Sequence, residues 1–264
     1  MTVIHTLADA DFGDNTMRVL SNDDYANVGT ALLLDFSKLK CWAGGAPGPS
    51  SQALNLTNKP TIRGAFQPSS QPSFADGAMV FNGAATSTNA MLIQKDAAVG
   101  VPFFPNGDGD FADTLMICWF TPTARPASNA GILGMGRTGG TAPAMGFQHH
   151  ASGNIYEYSM SHLVSVAEPN GVKVQIAAHY QYDEVAGTTT IRLYRNGVFL
   201  SQIAGSNPNS LTQDSNSKAF IGGFAGASNG FNGAIHRVVI DQTSVSGLDP
   251  DDLVAQDWAL VTGG

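Results

Sequence analysis

The chain has 264 residues, a net charge of −8 and only 13% charged residues, about half the share of roughly 25% usual in globular domains. It has no run of Lys or Arg, which disfavours a nucleic-acid partner. No apolar stretch approaches the ~20 residues that a membrane-crossing helix needs, and the low charge argues against disorder.

In chain order, residues 1–29 read as an N-terminal arm or edge segment, and residues 30–264 as one domain. The start, MTVIHTLADADFGD, has no basic region and no useful apolar run, so no secretory signal is expected. TALLLDF (30–36) is the first expected strand. Residues 42–76 are rich in Pro, Gly, Ser and Gln and read as a long surface loop. Strands follow at GAMVFNG (77–83), TLMICWFTP (114–122), AGILGMG (130–136), AMGFQHHA (144–151) and NIYEYSMS (154–161).

In GVKVQIAAHYQY, Val172, Val174, Ile176, Ala178 and Tyr180 share one face, while Lys173, Gln175 and His179 take the other. This period of two marks a half-buried strand. TTTIRLYRNGVFLSQI continues the pattern. Its Asn196-Gly197 predicts a type I′ hairpin, because both residues tolerate positive φ. KAFIGGF (218–224) and GAIHRVVID (233–241) are the last strands. A helix closes the chain in LDPDDLVAQDWAL: Asp249 caps it, Pro250 suits its first turn, and Asp251 and Asp252 favour its positive end. Val254 and Trp258 lie one turn apart on one face.

About ten strands at this spacing predict an all-β fold, a two-sheet antiparallel jelly-roll sandwich with a short C-terminal helix. Cys41 and Cys118 are too few for a disulfide framework, and both are expected as free thiols.

Several stretches resemble one family when taken in order. They are GAMVFNGAATS, FADTLMICWFTPTA, VQIAAHYQYDEVAGTTTIRLYRNGVFL, AFIGGFAGASNGFNGAIHRVVIDQ and the final LDPDDLVAQDW. Together they resemble laminin G-like jelly-roll modules of the concanavalin A-like lectin/glucanase superfamily. The resemblance implies two antiparallel sheets packed face to face. It also implies that the first and last strands, TALLLDF and AIHRVVID, lie close in space. Residues 42–76 depart from the shorter family form.

The superfamily holds glycosidases, glycan binders and structural modules, and fold does not choose among them. Hydrolysis needs two flanking carboxylates. The chain has three Glu, namely Glu157, Glu168 and Glu184, none in the Glu-x-Asp-x-x-Glu pattern of the laminarinase-type branch. Glu157 reads as an exposed strand residue, and no catalytic residue is expected. Gly134 to Gly139 and Gly226 to Gly230 match dinucleotide and nucleophile-elbow patterns but lack the helix that each requires. Asn106, Asp108 and Asp110 in NGDGD are spaced like the start of an EF-hand, but Phe111 and Ile117 stand where Gly and Glu belong. A looser calcium site, or a solvated turn, is left there. His149 and His150 point to opposite faces of a strand and do not chelate.

For glycan binding, sugar rings need aromatic faces. Phe147 and His149 share one strand face, and Tyr156 and Tyr158 share one face of the next. They form either a sugar platform or core, depending on which face turns outward. The sequon at Asn55 means little without a secretory signal.

A Gly/Ser/Thr/Asn-rich, β-dominated chain without a signal suggests a bacteriophage virion protein. The leading expectation is a non-catalytic head decoration, fibre or tail component. It would act in host attachment or assembly, with other virion subunits, self-association or a cell-surface glycan as partners. A free bacterial carbohydrate-binding module is the alternative, and a glycoside hydrolase a more distant one.

Overall fold

A computed structural model describes residues 23–48, 51–57, 59, 62–66, 72–84, 90–95, 98–99, 113–136, 143–158, 162–165, 168–183, 185–206, 218–223 and 230–263. Two antiparallel sheets enclose one apolar core. The first sheet runs, edge to edge, β15 (Val198–Ser206), β14 (Thr188–Arg195), β13 (Val174–Asp183), β8 (Asp113–Pro122), β17 (Asn232–Gln242), β5 (Ala78–Asn82) and β4 (Ser73–Ala75). Its remaining strand, β1 (Thr30–Asp35), lies beside β17.

The second sheet runs β12 (His162–Ser165), β11 (Ile155–Glu157), β10 (Pro143–His149), β9 (Ala130–Gly136), β16 (Lys218–Ile221), β6 (Met91–Lys95), β3 (Ile62–Phe66) and β2 (Gln52–Leu54). The short β7 (Ala98–Val99) pairs with β6. Helices α1 (Thr243–Ser246) and α2 (Pro250–Thr262) close the described chain.

The central strands form where the sequence alternates. On β13, Tyr180 reaches across the core, and its hydroxyl donates to Glu157 on β11 at 3.0 Å. Ile176 and Ala178 belong to the same core. Gln175 and His179 leave the opposite face, where their partners lie on the helices. β14 and β15 join at Asn196-Gly197, with φ of 51° and 79°, the two positive values a type I′ turn requires.

First and last strands meet as the resemblance implies. Thr30 to Asp35 runs antiparallel to Asp241 to Arg237. β5 takes the other half of the same edge, opposite Asn232 to Ile235.

The described residues within 42–76 do not form a surface loop. They contribute β2, β3 and β4 and bury Ala53, Leu56, Ile62 and Phe66 in the core. Trp42 packs edge-on to Phe66 at 5.5 Å. These strands are three to five residues long, too short for a period of two to stand out among Pro and Gly. Asn55 of the sequon is buried, taking N–H bonds from Leu33 and Thr57 and donating to Ala31.

Within the segment assigned to an arm, residues 1–22 lie outside the described residues. Residues 23–28 pack on the sandwich, with Tyr25 and Ala26 buried. Cys41 and Cys118 are free and buried, and burial pushes the Cys41 thiol up to about 12.

Candidate functional site

The middle of the outer face of the first sheet is covered by α2. Gln175, Trp119 and Arg237 stand in one row across β13, β8 and β17, and all three reach Asp257 of α2. The indole Nε1–H donates to its Oδ2 at 2.6 Å, Gln175 Nε2 to the same oxygen at 2.9 Å, and Arg237 Nε to Oδ1 at 2.7 Å.

Arg237 also holds Asp23 and Asp35, at 2.7 and 3.0 Å. One buried guanidinium therefore joins three carboxylates from the start, first strand and last helix of the described chain. Burial opposes its charge, but hydrogen bonds and charge from these aspartates hold its pKa above the ordinary arginine value. Trp258 stacks on Trp119 at 5.1 Å, and Val254 is fully buried. Asp249 caps α2 through the Asp251 N–H at 2.8 Å.

The second sheet carries the aromatic candidates, on β10 and β11. On β10, Phe147 is fully buried in the shared core and offers no ring face to a ligand. His149 lies on the same inward face, 1% exposed, with its ring 6.3 Å from that of Phe231. Burial lowers its pKa. Side chains alternate along a strand, so once Met145 and Phe147 face the core, His149 does too.

β11 divides the other way for the tyrosines. Ile155 and Glu157 face inward and are fully buried. Tyr156 and Tyr158 alternate with them on the outer face, and both are half-buried. Phe147 and His149 thus lie on one side of the sheet, Tyr156 and Tyr158 on the other. Glu157, expected as an exposed strand residue, is instead a core carboxyl bonded to Tyr180, because the inward register of Ile155 carries it inside.

Around Tyr156 the outer face is polar and partly open. Its cross-strand neighbours are Gln148 on β10 and Leu163 on edge strand β12. Leu163 is 39% exposed. Gln148 is 6% exposed, and its Oε1 has no hydrogen-bond partner among the described residues. The His150 ring meets the Tyr156 ring edge-on at 5.3 Å. Asn154 Nδ2 lies 3.5 Å from the Tyr156 hydroxyl, and Ser152 Oγ lies 2.9 Å from His150 Nδ1. A half-buried tyrosine beside a glutamine whose amide oxygen is unsatisfied, with a half-buried amide and an exposed hydroxyl at its rim, has the chemistry of a sugar contact.

Sequence reasoning missed Gln148 and His150 as site residues. The alternation of Met145, Phe147 and His149 already placed Gln148 opposite them, so the signal was present. Asn106, Asp108 and Asp110, the candidate calcium ligands, lie outside the described residues. No group of three or more His, Cys, Asp or Glu side chains able to hold a metal occurs among the described residues.

No protein-family model matches the sequence, and no curated protein matches it. The fold is similar to part of Trypanosoma rangeli sialidase. The complex with 2,3-difluoro-KDN gives a TM-score of 0.58 at 12% identity, over 91% of this chain and 34% of the sialidase. The covalent intermediate with 2,3-difluorosialic acid gives 0.58 at 13% identity, over the same shares. Domain 4 of AbnA, an extracellular GH43 arabinanase from Geobacillus stearothermophilus, in complex with arabinotriose, gives 0.48 at 18% identity, over 87% of this chain and 98% of that domain. The chain spans about a third of the sialidase's length. At such identities the likeness concerns the fold alone.

Proposed function

We propose that this chain is a non-catalytic glycan-binding β-sandwich, with its sugar contact on the outer face of the second sheet at the β10–β11 hairpin. The observation that carries the reading is the group on that face. Tyr156 and Tyr158 stand half-buried on one side of β11, and Gln148, whose amide oxygen has no hydrogen-bond partner among the described residues, is the cross-strand neighbour of Tyr156. An aromatic plane supplies dispersion and CH–π contact to a sugar ring, and a buried amide acceptor rewards a hydroxyl that reaches it.

The position of Glu157 supports a binding role over hydrolysis by this residue. A fully buried carboxyl bonded to a core tyrosine does not meet a scissile bond. Within the β-sandwiches we assign the chain to the laminin G-like branch. The order of its sequence motifs and the pairing of β1 with β17 support that assignment. On a phage particle, the setting its composition suggests, this face would serve attachment to a host-surface glycan.

The test is a glycan array with the wild-type chain, Tyr156→Ala and Tyr158→Ala. Signal from the wild type that falls tenfold or more in Tyr156→Ala is expected. A wild type that binds nothing, or variants that bind as well as it does, would count against the reading. Release of reducing sugar from a bound glycan would refute the non-catalytic part. Mass spectrometry of purified particles tests the virion setting.

A further inference from the structure

Among the described arginines of this acidic chain, three are paired with carboxylates and two, Arg63 and Arg125, are not. Arg192 pairs with Asp251 at 2.6 Å, Arg195 with Glu168 at 2.7 Å, and Arg237 with three aspartates. Arg125 and Arg63 have no carboxylate partner among the described residues. Arg63 sits on β3, toward the opposite end of the second sheet from β10.

Arg125 belongs to the connection between β8 and β9, which crosses from one sheet to the other. That connection ends at Ala130, and Ala130 pairs with His149 at the end of β10. The loop therefore arrives beside the β10–β11 turn. The Arg125 side chain lies against Gly153 of that turn, so closely that a Cβ there would meet its Nε at 2.7 Å. The same turn carries His150, Ser152 and Asn154, whose side chains form the polar rim of Tyr156.

A guanidinium that lies over a turn through its Nε and Cζ, with no carboxylate partner among the described residues, keeps donors available to a ligand. We infer that the glycan held at Tyr156 is acidic, and that Arg125 binds its anionic substituent while the sugar ring lies on the tyrosine. Carboxylates and sulfate esters both present paired oxygens that a guanidinium bonds in two places. The inference rests on the glycan-binding reading above and narrows it to acidic sugars.

The experiment compares the wild-type chain with Arg125→Gln, Arg125→Lys and Tyr156→Ala on an array of neutral, uronate-bearing and sulfated oligosaccharides. Arg125→Gln keeps the side chain as far as Cδ and removes the guanidinium that lies over Gly153, and a thermal melt checks its fold. The wild type is expected to prefer acidic glycans. Arg125→Gln should weaken those at least about tenfold, the scale of a lost charge-assisted pair, and leave neutral ones unchanged. Arg125→Lys should recover part of the loss. The carboxylate and sulfate arms identify the anion.

Wild-type binding to neutral glycans alone would overturn this inference and leave the glycan-binding reading standing. So would acidic binding that is indifferent to Arg125→Gln in a folded variant. An array without any signal removes both.

Discussion

The indole Nε1–H of Trp119 donates to Oδ2 of Asp257 at 2.6 Å, which ties the middle of the first sheet to helix α2. The partners are 138 residues apart, and both are almost wholly buried. The same carboxylate takes a hydrogen bond from Gln175 and an ion pair from Arg237. Among the described residues it is the only group that bonds all three members of that row.

Asp257→Ala should therefore cost about 3 kcal/mol of stability, because it leaves buried donors without an acceptor and Arg237 with one partner fewer. Asp257→Asn should cost less, since one carbonyl oxygen remains. Urea unfolding followed by tryptophan emission measures both. A loss under about 1 kcal/mol for the alanine variant would show that α2 is held by other contacts.

The hairpin turn is fixed from outside as well as from within. Gln175 Oε1 accepts the Gly197 N–H at 2.7 Å, and its own N–H donates to Asn196 Oδ1 at 3.0 Å. A Cβ on Gly197 would lie 2.8 Å from Cγ of Trp258. Gly197→Ala should destabilise the chain by about 2 kcal/mol, from the positive φ and the collision together. Adding Trp258→Leu should recover the collision but not the φ. Equal costs for the single and double variants would mean the indole gives way freely.

Stability should fall on acidification from pH 7. Burial brings the His179 and His236 imidazoles down to about 4, against 6.5 in the unfolded chain. Between those values the unfolded state binds more protons, so stability is full above about 6.5 and declines as pH falls toward 4. Asp23 extends the loss below that. Burial pushes its carboxyl up, but the hydrogen bond and charge of Arg237 outweigh burial and hold it below the usual range. Its contribution is present above the unfolded value and is lost as pH drops through the folded one. Urea midpoints at pH 7.5, 5.5 and 4.5 test this. In His179→Asn the decline between 7.5 and 4.5 should be visibly shallower.

Tyr180→Phe should cost about 1–3 kcal/mol. It removes the donor to Glu157 and the acceptor of the Gly146 N–H, both deep between the sheets. Tyr194→Phe is the comparison. That hydroxyl bonds Asp251 at 2.6 Å in a part-buried pair, where water can replace the lost bond, so its cost should stay below about 1 kcal/mol. Equal costs would contradict the assignment of Tyr180 to the dry interior.

Much of the architecture is local and was legible on that account. The Asn196-Gly197 turn, the period of two through β13 and β14, and the capped start of α2 each depend on residues a few positions apart. The short strands β2, β3, β4 and β12 were not legible. With three to five residues each, they are strands because a neighbouring strand completes their hydrogen bonds, not because of their own pattern.

The candidate site divides along the same line. Alternation alone placed Phe147 with His149, and Tyr156 with Tyr158, but it is symmetric between the two faces of a sheet. The second sheet and its packed core broke that symmetry, turning Phe147 and Glu157 inward and the two tyrosines outward. Arg125 gave no signal in its Pro-containing loop, and Asp23, Asp35, Asp257 and Arg237 gave none as a group.

The residue order by itself determined the all-β class, the central hairpin and the terminal helix, since backbone geometry and turn chemistry act over a few residues. Only the folded chain decided which faces are dry, which acids surround one arginine, and which aromatic rings stay open to a ligand. Those outcomes depend on contacts between distant positions, such as Arg237 and Asp23, 214 residues apart, and no short-range rule carries that information.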